Sequence, residues 1–165
     1  MDINTINRIV MSSFVFISYA RENYAVASLI YDYLYKHGNN VLFDGGGLPR
    51  GMSLPEFEQY IIHSNCKKVL MIFDSNYSAK IISHTGEVWQ EYDLIRNHYR
   101  SYNKDKYIPV LCDGFNKDNL PPLFKGQTIF GTVTDLDGLV NDCNAASNHK
   151  PHLMSPAKAK KLMNT

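Results

Sequence analysis

The chain has 165 residues, 44% of them hydrophobic and 12% aromatic, which suffices for one buried core and argues for one domain rather than two. Lys+Arg total 17 against 16 Asp+Glu, a formal net charge of +1, so no overall field draws the protein to nucleic acid or to anionic lipid. Cys66, Cys112 and Cys143 are odd in number, far apart and in no CxxC spacing, a pattern that fits reduced thiols and a cytoplasmic location.

The opening "MDINTINRIVMSS" lacks a basic start followed by a long apolar stretch, and no window approaches eighteen uninterrupted apolar residues. Neither a secretion signal nor a membrane span is expected, and residues 1–12 are read as an N-terminal extension. "FVFIS" (14–18) is an apolar run that predicts a strand. After Ser18, Tyr19, Ala20 and Arg21, the residues Val26, Leu29, Ile30, Tyr33, Leu34 and His37 recur at helical spacing, and Gly38 supplies a left-handed cap. "VLF" (41–43) predicts a second strand, and "DGGGLPRGM" (44–52) a long loop. Gly45, Gly46, Gly47 and Gly51 match neither phosphate-loop spacing, since no Lys-Ser or Lys-Thr follows. Ser53 and Glu56 form a capping box ahead of a helix with Leu54, Phe57 and Ile61 inward.

"KVLMIF" (68–73) predicts strand three. After "DSNYSAKIISHTG", read as a connection in which Ser75 and Asn76 form a turn, a helix is expected from about 85 to 99 with Val88, Tyr92, Ile95 and Tyr99 on one face. "YIPVLC" (107–112) predicts strand four, "NLPPLF" a short helix cut by its prolines, "TIFGTV" (128–133) strand five, and "DLDGLVNDCNAA" (135–146) a closing helix. Alternating strands and helices with continuous apolar strands predict an α/β fold: a flavodoxin-like three-layer sandwich with a five-stranded parallel sheet, order 2-1-3-4-5, and helices on both faces. The tail 148–165 carries prolines and lysines but no core stripe, and reads as a linker or disordered end.

Open parallel sheets bind ligands beyond the carboxyl ends of the strands where the order reverses, which falls between strands one and three. "GEVWQEYDLI" (86–95) places two glutamates near that point. Glu91, in the second turn, leans back toward the crevice; Glu87, nearer the helix start, is explained by the positive end of the dipole. Apart from His149 and His152 in the tail, the histidines show no pair at metal-ligand spacing on one helix, so no metal is expected. "RNHYRSYNKDKY" (96–107) reads as a solvated helix face and loop rather than a nucleic-acid surface.

In their order, "FVFISYARENYAVASLIYDYL", "VLFDGGGLPRGMSLPEFEQYI" and "VLMIFDSNYSAK" resemble the first strand and helix, the second strand with its loop, and the third strand of a TIR (Toll/interleukin-1 receptor) domain of bacterial type. The resemblance covers about residues 13–140, with the domain ending near 147. It implies cleavage of NAD+ between nicotinamide and ribose, with NAD+ as substrate and no cofactor. Glu91 then matches the catalytic glutamate, and Gly86 and Val88 match residues upstream of it. One departure stands out: the tryptophan often found four residues before that glutamate is replaced by Glu87, with Trp89 two before, and a shifted alignment would make Glu87 the catalytic residue.

Their place at the carboxyl ends of the strands makes Ser18, Tyr19, Ala20 and Arg21 after strand one, Asp44 after strand two, and Ser75 and Asn76 after strand three candidates for ligand binding around Glu91, with Trp89 a candidate to cover one side of the pocket. Each has a duller reading: a loop packing on its own helix, a bracing aspartate, a turn, and a core or interface tryptophan. The family further implies self-association, with a sensor domain or subunit supplied separately, in antiviral defence. A non-catalytic module that recruits like domains is the competing reading. A phosphoacceptor receiver fits less well, because Ser18 and Tyr19 stand where acidic residues are needed; a nucleoside deoxyribosyltransferase fits less well because 41–61 does not resemble one.

Overall fold

A computed structural model describes residues 4, 8, 11–42, 65–101, 106–112, 114–124 and 131–144. The expected glycine-rich loop with Asp44, the capping box at Ser53 and Glu56, the helix it opens, and the tail lie outside the described residues.

Strands β1 (Phe14–Ser18), β2 (Val41–Leu42), β3 (Cys66–Phe73), β4 (Tyr107–Leu111) and β5 (Gly131–Thr132) form one parallel sheet in the order β2-β1-β3-β4-β5. Phe16 lies beside Val69 and Leu42, Ser18 beside Met71, and Phe73 beside Leu111. This is the order expected from the alternation of elements. Side chains alternate across a strand, so each strand feeds two cores. Phe14, Phe16, Val69, Met71, Phe73 and Tyr107 belong to one apolar cluster; Val15, Ile17, Leu70, Ile72, Ile108 and Val110 belong to the other. Burying each such side chain contributes about 1.5–3 kcal/mol. The covering helices are α1 (Tyr24–Lys36), α2 (Ser75–Ser83), α3 (Gly86–Ser101) and α4 (Leu136–Asn144). Helices α2 and α3 cover the first cluster through Tyr77, Ile81, Val88, Tyr92 and Ile95; α1 and α4 cover the second.

Helix α1 ends as its sequence predicts. Gly38 takes φ 84°, the Asn39 N–H donates to the Leu34 carbonyl at 3.1 Å and the Gly38 N–H to that of Tyr35 at 3.1 Å, a Schellman closure. Its buried stripe is rotated from the expected one: Ala27, Ile30 and Leu34 face the sheet, while Leu29 is 54% exposed. One residue is 100° of helix, so Ile30 facing inward turns Leu29 toward water.

The crossover from β3 to β4 corrects the sequence reading more substantially. Two helices occupy it, because residues 75–83, expected as a connection, form α2. Asp74 is the N-cap, its carboxylate accepting from the Tyr77 N–H at 2.7 Å, and Tyr77 and Ile81, four apart, form the buried face. The helix stops at His84 in the left-handed region (φ 55°), and α3 starts at Gly86 (φ 70°). The proline-interrupted segment makes two 3-10 turns, Lys117–Asn119 and Pro122–Phe124, the second burying Phe124. Among the described residues no helix is long and apolar enough to cross a membrane.

Candidate functional site

Because β1 and β3 are neighbours whose crossovers leave on opposite faces, a crevice opens at their carboxyl ends. A cleft of about 390 Å³ lies there. Tyr19 and Arg21 line it from the segment after β1, Lys80 from α2, Thr85 and Gly86 from the joint between α2 and α3, and Val88 and Glu91 from α3. The sharp joint at His84 and Gly86 directs the first turns of α3 across the strand ends, so Val88 is buried beneath the cleft while Glu91, three residues on, presents a half-buried carboxylate to it.

That carboxylate is held from behind. The Ser18 hydroxyl donates to Glu91 Oε2, and Ser18 Oγ lies 2.9 Å from the Tyr77 hydroxyl. Serine has one proton to give, and an ionised carboxylate only accepts, so Tyr77 donates to Ser18 and Ser18 to Glu91. Ser18 and Tyr77 are both fully buried. Three elements, β1, α2 and α3, thus converge on one oxygen, and bonds in such a chain polarise one another in a low-dielectric interior.

At the outer side of the cleft, Lys80 Nζ lies 2.8 Å from Glu22 Oε2. The lysine's hydrogen bond, then that of the glutamate's own backbone, holds the Glu22 carboxyl below its usual range. Asn23 donates to Cys112 Sγ at 3.1 Å, and burial pushes that thiol up, the Asn23 bond opposing and the Asp74 charge adding.

The structure brings together some of the sequence-derived site residues and separates others. Tyr19, Arg21 and Glu91 share the cleft. Ser18 sits beneath it, its side chain on the carboxylate rather than facing a ligand, and Ala20 is buried in the apolar cluster. Ser75 and Asn76 are exposed in the first turn of α2 and are not among the lining residues. Trp89 is half-buried, stacked on His84 with ring centroids 3.7 Å apart and lying 5.5 Å beneath the Arg96 guanidinium. It packs on the core beside the cleft rather than lining it. Asp44 lies outside the described residues, and Glu87 is in the first turn of α3 with its side chain undescribed. Sequence reasoning missed Tyr77, Lys80 and Thr85. The Asp-Ser-Asn-Tyr capping pattern was the available signal: a helix from Ser75 puts Tyr77 inward, and Lys80, three residues on, near the strand ends. Among the described residues no group of three or more His, Cys, Asp or Glu is placed to hold a metal ion.

A doubly wound parallel domain with a carboxylate in a cleft at its β1/β3 switch point is the class of protein that these features define. The chain belongs to the TIR domain family, whose model matches residues 15–144. Among solved structures it is similar to a metazoan TIR-STING receptor from C. gigas in complex with 2',3'-cGAMP, with 19% identity, a TM-score of 0.62, and coverage of 82% of this chain and 40% of that one. It is also similar to the TIR domain of the Toll-related receptor TRR-2 from Hydra magnipapillata (16% identity, TM-score 0.57, 79% of this chain and 98% of that one). The TIR domains of the activated Roq1 resistosome, which recognises the pathogen effector XopQ, resemble it with 16% identity and a TM-score of 0.53, over 93% of this chain and 96% of that one. At these identities the likeness is one of fold, and the chain spans about two-fifths of the C. gigas receptor. No curated protein matches the chain.

Proposed function

We propose that this domain is an NAD+ glycohydrolase of the bacterial TIR type, cleaving the nicotinamide–ribose bond in cytoplasmic antiviral defence and activated by self-association, with a sensor supplied by another domain or subunit. The observation that carries the reading is the Glu91 carboxylate, half-buried in the cleft and held by Ser18.

A single carboxylate is chemically sufficient. Ordinary glycosidases need a second carboxyl group to protonate the leaving oxygen. Nicotinamide is joined as a cationic pyridinium: the C1'–N bond breaks, its electron pair returns to the ring nitrogen, and the base leaves neutral. Glu91 accepts from ribose hydroxyls and stabilises the positive charge developing at the anomeric carbon. Water adding at that carbon gives ADP-ribose and releases a proton to solvent; attack by a hydroxyl or ring nitrogen of the same molecule gives a cyclic isomer. Tyr19, at the cleft wall, offers an aromatic face to nicotinamide. Self-association is taken from the family, with the glycine-rich sequence at 44–52 as the segment that neighbouring copies would hold.

Nicotinamide release by wild type, Glu91→Ala and Glu91→Gln at high protein concentration tests the proposal. Loss of roughly 100-fold or more is expected in both variants. Equal release by all three would leave the non-catalytic interaction module as the reading.

A further inference from the structure

The lining side chains differ in charge along the cleft. Glu91 is half-buried beside the buried Val88, whereas Arg21 is exposed and the Lys80 side chain is 28% exposed. At about 390 Å³ the cleft is at the small end of ligand pockets, which run from about 300 to 1,000 Å³. It seats a base and its ribose, so the phosphates of a dinucleotide fall toward the rim, where both cations stand.

We propose that Lys80 is the phosphate anchor that makes the cleft prefer a pyrophosphate-bearing dinucleotide to the corresponding nucleoside, and that Glu22 is an internal competitor for the same ammonium group. This rests on the NAD+ reading of the cleft. The pair joins its two walls: Glu22 lies in the 3-10 turn Arg21–Asn23 after β1, and Lys80 in α2 after β3. The Glu22 side chain is 49% exposed, so water and salt screen the pair and its net contribution is small. It is therefore an exchangeable contact. The pyrophosphate as a whole brings two negative charges and four non-bridging oxygens to a flexible ammonium, twice what one carboxylate offers. The displaced Glu22 carboxylate passes into water, where a carboxylate is ionised at neutral pH without any partner. Released from Glu22, Lys80 remains on the cleft wall, three residues from the buried Tyr77 that anchors α2.

The experiment compares kcat/KM for NAD+ and for nicotinamide riboside, which lacks the pyrophosphate, in wild type, Lys80→Met, Lys80→Arg and Glu22→Gln. Calorimetric titration with ADP-ribose supplies a readout that needs no turnover. Lys80→Met is expected to lower kcat/KM for NAD+ and the affinity for ADP-ribose about tenfold, the size of one charge-assisted hydrogen bond, while nicotinamide riboside changes less than about twofold. Lys80→Arg restores most of the loss, and Glu22→Gln strengthens ADP-ribose binding about two- to fivefold by removing the competitor. Unchanged ADP-ribose affinity in Lys80→Met, or an equal loss for dinucleotide and nucleoside, would overturn the anchor. Failure of wild type to bind ADP-ribose or to cleave NAD+ would instead overturn the reading on which the anchor rests, and the anchor with it.

Discussion

Replacing Ser18 by alanine removes the hydroxyl that donates to Glu91 and leaves the buried Tyr77 hydroxyl without the acceptor it has at 2.9 Å. A hydrogen bond to an ionised group is worth about 1.5–3 kcal/mol. Glu91 is half-buried, so water replaces part of that bond and the lower end applies, about 1.5–2 kcal/mol, or a fall in kcat of about 10- to 30-fold. KM for NAD+ stays near its wild-type value, since Ser18 is fully buried and does not line the cleft. Tyr77→Phe removes the bond that Tyr77 makes to Ser18 and costs about 0.5–1.5 kcal/mol, a loss of about 2- to 13-fold. The two changes do not add. In the Ser18→Ala background the Tyr77–Ser18 bond is already gone, so Tyr77→Phe is expected to cost less kcat and less thermal stability than it does in wild type. Steady-state NAD+ cleavage with thermal unfolding of the four proteins completes the cycle. A full wild-type kcat in Ser18→Ala, or strict additivity in both measurements, would refute the view that this buried chain sets the carboxylate.

Four further outcomes follow from other parts of the fold. Asp74→Ala deletes the N-cap of α2 and should cost about 1 kcal/mol, lowering Tm by roughly 2–4 °C in differential scanning calorimetry. Burial pushes the Cys66 thiol up to about 11 and that of Cys143 up to about 12, against 9.0 for an unperturbed thiol. A thiol-disulfide reagent at pH 8 should therefore reach at most half-buried Cys112 in the native protein and all three thiols in guanidinium. By the same linkage, stability should fall as pH rises above 9, where unfolded thiols ionise and folded ones do not. For Glu22 the sign is opposite: its folded carboxyl lies below the ordinary 4.5, so its contribution is present above pH 4.5 and lost as pH falls through the lowered value. Denaturant titrations of wild type and Glu22→Gln should differ slightly at pH 7, and the gap should narrow as pH falls below 4.5; a gap that does not narrow would contradict the ion pair as its cause.

Much of the architecture was legible because it depends on short-range pattern. Continuous apolar runs at 14–17, 69–73 and 107–111 favour short strands buried on both faces, and with right-handed crossovers the economical order is the observed β2-β1-β3-β4-β5. The cap at Gly38 was legible for the same reason, since a left-handed residue after a helix is a local demand. Helix α2 was missed because "SNYS" has the composition of a turn. Its helical state depends on the Asp74 side chain reaching the Tyr77 N–H and on Tyr77 finding the core beneath it.

The chain's residue order alone thus determined the order of the sheet and the position of Glu91 in the helix beyond the switch point. What surrounds that carboxylate was decided only by tertiary packing. Ser18 and Tyr77 are separated from each other by 59 residues and Ser18 from Glu91 by 73, so no window of sequence contains their contact. Nor does local pattern tell which residues of 18–21 line the cleft. Alternation along the emerging strand end buries Ser18 and Ala20 and turns Tyr19 and Arg21 toward the ligand space, and that division exists only once β3, α2 and α3 have closed around it.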